Sequence, residues 1–575
     1  MEFFAVNGKR PIRLSEPTRK FAFDSLNYKY GRDTGKNHAV LLDDIRDFER
    51  RSDLEKYDIA IERIAKEAPI RICEGEKVTG AATLGLAIKH IVPVTYQGQE
   101  IFDSVSHLTI DFETVLKKGI NSIQREAQKA FKKYEGTEKQ EFINSCLSCM
   151  NSMRIWHKRY LDALGKDPTY QANYENLKKV PFGPASNFYE AVQSLWFTFA
   201  FVRLCGNWPG IGRIDWLLGE YLEKDLANGI LTLDEAREIL AHFFIKGCEW
   251  IQGGDYGSGD AQHYQNILLG GIDEKGVEVT NTVTYLVLDI LEELGISDFP
   301  TTVRIGKNTT PTLLNRVAEV IRLGGGVVAI YNEDLIIESL VDYGYELSEA
   351  RKFANDGCWE IQIPGKTFFS YIPFDSLQVL QQMTLENYSD NILFEDFGSL
   401  YSAYIRDLRS RIKELIDTRN GKIFVDTGAP SEEWGWKHSL PCTVVSLFEQ
   451  GCIESGLSYW EGGPKYNVLS PHIGGLADVV NSLYAIKKLV FDDKKVSFPE
   501  LMTALKNNWE HHEILRQYAL NRYSYFGNDH DEVDHIAASI IKDFAQICDE
   551  LESAYKTPVP YAITYQTKTV KGEEA

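Results

Sequence analysis

Positive charge is scarce in this 575-residue chain: 62 Lys and Arg face 83 Asp and Glu, for a formal net charge of −21. Phosphate contacts depend on the scarcer sign, which argues against nucleic acid and anionic membrane surfaces as partners. No run of about 18 consecutive apolar residues occurs, so the sequence predicts no membrane span. The 9 cysteines, odd in number and irregularly spaced, make no disulfide framework. Residues 1–13 lack the apolar core and small-residue cleavage site of a secretion signal. These absences predict a soluble, cytoplasmic protein in a reducing compartment. Repeats, low-complexity tracts and internal linkers are missing too, and a content of 43% hydrophobic and 12% aromatic residues suffices for a large core.

Periodicity supplies the elements. Over 43–68 and 114–165 apolar residues recur at three and four positions, as in Val115, Ile120, Ile123, Ala127 and Ala130, which predicts amphipathic helices. Over 187–205 they cover almost every face, which predicts a helix buried all round. Thr232 with Glu235 marks a capping start for a helix to 251, then a Gly-rich loop at 253–259 and a further helix around 281–294. Strand-like runs at 301–305, 327–331 and 422–425 punctuate the helices, giving an α/β barrel or layered α/β body over 1–555. The tail, 556–575, carries alternating Tyr561, Ile563 and Tyr565, a strand that needs a neighbour and is suited to docking a partner.

The most informative residue is Cys358, in Ala354-Asn355-Asp356-Gly357-Cys358-Trp359-Glu360, with Pro364 and Gly365 beyond. Glycine and proline around a thiol and a carboxylate predict an ordered loop delivering sulfur to a buried place. On chemistry alone Cys358 and Glu360 are a nucleophile beside a base, a metal-ligand pair, or a buried structural thiol and a carboxylate. Against the first, only Lys366 stands near enough in sequence to generate a thiolate; against the second, no further Cys or His stands at metal spacing.

Other segments change that balance: Tyr459-Trp460-Glu461-Gly462-Gly463, Asn467, residues 485–492, Phe526-Gly527-Asn528-Asp529, Gly212-Arg213-Ile214-Asp215, residues 264–271, Thr280-Asn281, Val303-Arg304 and Tyr331-Asn332-Glu333-Asp334. Together, in the right order along the chain and across roughly 70–560, they resemble the glycyl radical enzymes, most closely their glycerol and diol dehydratase branch. The resemblance implies an α/β barrel, two half-barrels of strands surrounded by helices with the Cys loop inside. It implies that Cys358 becomes a thiyl radical that takes hydrogen from a small organic substrate, with Glu360 as base and His107 positioning the substrate or protonating the leaving group. It implies anaerobic, oxygen-sensitive lyase chemistry with no directly bound cofactor, and a radical glycine installed by an activating enzyme that uses S-adenosylmethionine and an iron–sulfur cluster.

Two departures matter. Asn207 and Trp208 stand where glycerol dehydratases place His and Ser on the substrate hydroxyls, and ungapped counting puts Ile372 in place of a binding aspartate, with Tyr371 and Asp375 nearby. A pocket lined by Asn207, Trp208, Trp359, Phe368, Phe369, Tyr371, Phe374 and Asp375 is more aromatic than theirs, and glycerol fits it poorly. Such a lining also suits radical decarboxylation or C–C chemistry on an apolar substrate. Second, the family's Arg-Val-x-Gly-Tyr radical loop has no counterpart among the 575 residues, and Gly572 has none of its neighbours. The barrel is then expected to be incomplete at its C-terminal end. The expectation is a large subunit completed by a small glycyl-radical-bearing partner; a truncated chain and a non-catalytic relative are the alternatives, and homodimerisation stays open. Cys146 and Cys149 lie inside a helix and read as core, His511 and His512 are adjacent and share no face, and 324–326 is a helix end, not a phosphate loop.

Overall fold

The structure, a computed structural model, describes residues 10–27, 29–30, 40–81, 94–100, 105–249, 265–296, 299–324, 328–357, 360–386, 394–421, 441–554, 562–563 and 566–567. Cys358, Trp359, the loop at 253–259, the strand expected at 422–425 and Gly572 lie outside them, as does the side chain of Tyr371. The chain forms two compact units, where the sequence suggested one body over 1–555: unit 1 holds 1–368, 425–428 and 436–466, and unit 2 holds 369–424, 429–435 and 467–575.

Unit 1 opens with a small sheet of β1 (Val40–Leu41), β2 (Val94–Tyr96) and β3 (Gln99–Glu100). Its centre is parallel. β4 (Ser106–Thr109) pairs β5 (Trp208–Gly210), and β6 (Gly212–Arg213), β7 (Ile267–Gly270), β8 (Thr301–Ile305) and β9 (Val328–Asn332) form a four-stranded sheet in chain order. Helices link these strands, as parallel pairing requires. The antiparallel hairpin of β10 (Ala354–Asp356) and β11 (Glu360–Gln362) packs against β4, β5, β6 and β7.

The helix Phe188–Leu204 is buried along nearly its whole length, as its all-round apolar sequence predicts. Thr232 and Glu235 close a reciprocal capping box on Leu233–Lys246, and Asn281 caps Thr282–Leu294. The stretch expected as helical over 114–165 is broken into Phe112–Lys118, Ile120–Lys133 and Lys139–Leu164. Gly119 (φ 72°) makes the first break, and any Cβ there would collide with the Phe182 carbonyl. Cys146 and Cys149 are fully buried in Lys139–Leu164, where burial pushes both thiols well above their ordinary pKa.

In unit 2, residues 369–375 of β12 (Thr367–Asp375) and 467–474 of β13 (Tyr466–Gly474) lie side by side. The tail strand forms as two short pieces, β14 (Ala562–Ile563) and β15 (Gln566–Thr567), each paired parallel to β13. The neighbour it needs is thus within its own chain. Among the described residues no helix is long and apolar enough to cross a membrane.

Candidate active site

The hairpin is held from both ends. Before β10, Arg213 reaches the carbonyl of Arg351 (3.3 Å), and Arg304 reaches those of Arg351 (2.9 Å) and Phe353 (3.0 Å). Arg304 is in turn paired with Glu333 at 2.8 Å, and Asp215 accepts from the Gly270 amide at 2.6 Å and from Thr284 at 2.7 Å. After β11, Gly365 donates to the Thr109 carbonyl (2.6 Å), and the Gln450 amide donates to the Gly365 carbonyl (2.7 Å). The Gln450 side chain donates to Asp111 at 2.6 Å. The motifs around Arg213, Arg304 and Glu333 therefore act as a frame that aims the hairpin.

At the tip, β10 and β11 pair in the register Ala354–Gln362, Asn355–Ile361, Asp356–Glu360. Gly357 begins the turn at φ 56°, and a Cβ there would collide with the His107 ring. Its carbonyl accepts from Asn266 at 3.1 Å. Gln362 crosses to β4 and donates to the His107 carbonyl at 2.6 Å.

His107 arrives from the other side. The β4–β5 register passes from Ser106–Trp208 directly to Leu108–Pro209, so His107 is the extra residue of a bulge, at φ 61°. Bulges re-aim side chains, and here Nδ1 lies 2.7 Å from Ser106 Oγ while Nε2 lies 4.0 Å from Glu360 Oε1. Glu360 is fully buried and His107 nearly so. Two groups able to exchange protons therefore face each other beside the turn that contains residue 358.

The wall adds groups that sequence reasoning missed. Asp356 is fully buried beside Gly210, where a Cβ would strike its Oδ1. Burial holds its carboxyl well above the ordinary pKa; the amides of Gly357, Leu108 and Gly210 oppose that, and the nearby Glu360 charge adds to it. Tyr331, on β9, is likewise raised, by burial first and then by Glu360. Arg203 stacks its guanidinium 3.6 Å from the Trp208 ring centre, and the Trp208 amide donates to Val105 at 2.8 Å. The register of Asp356 opposite Glu360 emerges only from the folded hairpin.

Other expected pocket residues make structural contacts. The Asn207 side chain reaches the carbonyls of Val202 (3.4 Å) and Cys205 (3.3 Å), closing the helix before it. Phe368 packs in the core of unit 1 on Tyr459 and Trp460. In unit 2, Phe369 meets His472, Phe374 meets Phe544, and Asp375 caps the helix Ser376–Gln381 by accepting from Leu377 at 2.8 Å. Among the described residues, Cys73, Glu76 and Glu249 converge closely enough to hold a metal ion. Lys246 pairs with two of its carboxylates, 2.7 Å from Glu76 and 2.9 Å from Glu249, with Arg71 3.2 Å from Glu249.

With this geometry, comparison with known proteins is informative. The profile of the Pyruvate formate lyase-like family matches residues 89–571, most of the chain. The chain belongs to that family, the glycyl radical enzymes. It is 27% identical over 469 residues to trans-4-hydroxy-L-proline dehydratase of Clostridioides difficile, covering 76% of this chain and 59% of that enzyme. It is 29% identical over 477 residues to isethionate sulfite-lyase of Nitratidesulfovibrio vulgaris, covering 75% of this chain and 56% of that enzyme. The chain thus spans less than two thirds of the length of these curated relatives. In three dimensions it superposes on the glycerol-bound B12-independent glycerol dehydratase of Clostridium butyricum with a TM-score of 0.78 at 22% identity, covering 97% of this chain and 81% of that one. The fold is the α/β barrel of that family.

Proposed function

We propose that this chain is the catalytic body of a glycyl radical lyase that eliminates a small leaving group from a small organic substrate. The observation that carries the reading is Glu360, buried and 4.0 Å from His107 Nε2, on the hairpin whose turn includes residue 358. A radical at Cys358 takes a hydrogen atom from the substrate. Glu360 accepts a proton from a neighbouring substrate group, and His107, its Nδ1 held by Ser106, orients the leaving group. Relatives named as a dehydratase and a sulfite-lyase fit an elimination that departs as water or sulfite.

The reading requires a radical glycine, and the 575 residues contain no Arg-Val-x-Gly-Tyr segment. A separate small subunit supplies it, charged by an activating enzyme that uses S-adenosylmethionine and an iron–sulfur cluster. The test is anaerobic reconstitution of the full chain with such a partner and its activase, followed by electron paramagnetic resonance and product analysis with trans-4-hydroxy-L-proline, isethionate and 1,2-propanediol. Product from one of them, dependent on both the partner radical and Cys358, supports the reading. A stable partner radical that yields no product with any of them contradicts it.

A further inference from the structure

The parallel sheet of unit 1 runs β6-β7-β8-β9, so among the described residues β9 pairs on one side only. It is also thinly covered: none of its five residues is fully buried, and Ile330 is 55% exposed. Its neighbour β8 is buried at four of five positions. Strand alternation puts Ile330 on the face of Val328, which packs on the main core, while Tyr331 turns to the face that packs with the hairpin.

The helix on the Ile330 face, Pro311–Ile321, shows where cover is missing. Leu313, Val317 and Val320 are buried, and Arg316 bridges to Asp289 (2.9 Å) and Glu292 (2.6 Å) on the neighbouring helix Thr282–Leu294. At 100° per residue, Leu314, Ala318 and Ile321 form a stripe on the flank opposite Arg316. Thr282–Leu294 links β7 to β8, so that opposite flank points past β9. Leu314 and Ile321 are each 39% exposed. The next helix, Glu333–Asp342, does not fill this position, because its buried Ile337 and Leu340 pack with Phe353 and with Ala354 of β10. An open strand edge beside a run of exposed apolar side chains is a surface that pairs with another chain.

We propose that the radical-bearing small subunit docks here, adding a strand to the open edge of β9 and covering Ile330 and the stripe from Leu314 to Ile321. The inference rests on the lyase reading above and gives its partner a docking surface. Two observations choose the occupant. The glycerol dehydratase superposes on 97% of this chain but over only 81% of its own, so that enzyme has chain with no counterpart here. Charge argues against a second copy: over 323–350 Asp334, Glu338, Asp342 and Glu346 are exposed and no Lys or Arg occurs. Two copies meeting at this face would oppose like charges, whereas a subunit whose apolar strand is rimmed by Lys and Arg complements them.

The test is hydrogen–deuterium exchange of the full chain, alone and with the small subunit in its unactivated form. In the chain alone, residues 328–332 should exchange about 10-fold or more faster than 301–305, and the subunit should slow 328–332 by about 10-fold or more. Ile330→Lys should weaken subunit binding by about 10-fold or more, the effect of losing one buried large apolar side chain, and Leu314→Lys should weaken it as well. Equal exchange of the two strands in the free chain would mean that the edge is already covered, and would overturn the proposal. Binding that leaves 328–332 unprotected, or that Ile330→Lys leaves at wild-type strength, puts the subunit elsewhere and overturns it too. So does a dimer of the chain alone that Ile330→Lys dissociates, since the occupant is then a second copy. The subunit carries no radical in these measurements, so docking elsewhere leaves the lyase reading standing, and a docked, activated pair that forms no product defeats that reading alone.

Discussion

Gln362 donates its side-chain amide to the carbonyl of His107 at 2.6 Å, tying the strand that carries Glu360 to the bulge that carries the histidine. His107 and the strand carrying Glu360 are thereby linked by a buried bond whose two ends lie 255 residues apart in sequence.

Replacing Gln362 with Leu removes that hydrogen bond from a buried carbonyl. The expected cost is about 1–3 kcal/mol in urea unfolding. Gln362→Glu, which keeps the length but replaces the amide with a carboxylate, should cost at least as much.

Gly357→Ala puts a methyl group into the His107 ring at a backbone angle that side chains rarely adopt. It should lower turnover by about 100-fold or more while circular dichroism stays near wild type, because misplacement of about 1 Å has that effect. Wild-type turnover in this variant would mean that the turn does not set the site.

Burial raises the Asp58 carboxyl from 3.8 to about 6, against hydrogen bonds from Ser145, Cys149 and Ser148. Its folded pKa lies above its unfolded one, so its ionisation favours unfolding. The penalty is absent below about pH 4 and grows to about 2–3 kcal/mol as pH rises through 6. Asp58→Asn, which can still accept from Ser145, should match wild type near pH 4 and exceed it in urea stability at pH 7. Equal stability at pH 7 would contradict the shift.

Lys246 is fully buried between Glu76 and Glu249. Its ammonium is held charged by these carboxylates, which outweigh the cost of burial. Lys246→Met strands them, and unfolding free energy should fall by about 3–5 kcal/mol. Addition of zinc or iron to the wild type should not raise its unfolding midpoint, since the ammonium already pairs with both carboxylates.

Much of this architecture is legible locally. Thr232 and Glu235 mark their helix start, the strand at 301–305 falls on its β-branched run, and the largely apolar Phe188–Leu204 is buried. What the sequence hides is long-range. Periodicity over 114–165 is continuous, yet Gly119 turns out of the helix because its backbone meets Phe182 and Gly183, which sit far along the chain. His107 owes its aim to a bulge that exists only once β5 pairs beside it. Asp375 and Asn207 carry polar groups at plausible distances in sequence from residue 358 or from Arg213, but helix ends claim both. Asp356 escaped notice for the opposite reason, since a carboxylate in a loop reads as solvated until the register sets it against Glu360.

The central claim is that a radical reaching Cys358 is converted to chemistry by Glu360. The direct measurement is product formation by the full chain reconstituted anaerobically with the proposed radical-bearing partner, comparing wild type, Cys358→Ser and Glu360→Gln with the partner's radical signal monitored in each. The account predicts product from wild type, losses of about 1,000-fold or more in both variants, and an undiminished partner radical in both. Turnover by Cys358→Ser at the wild-type rate would contradict it.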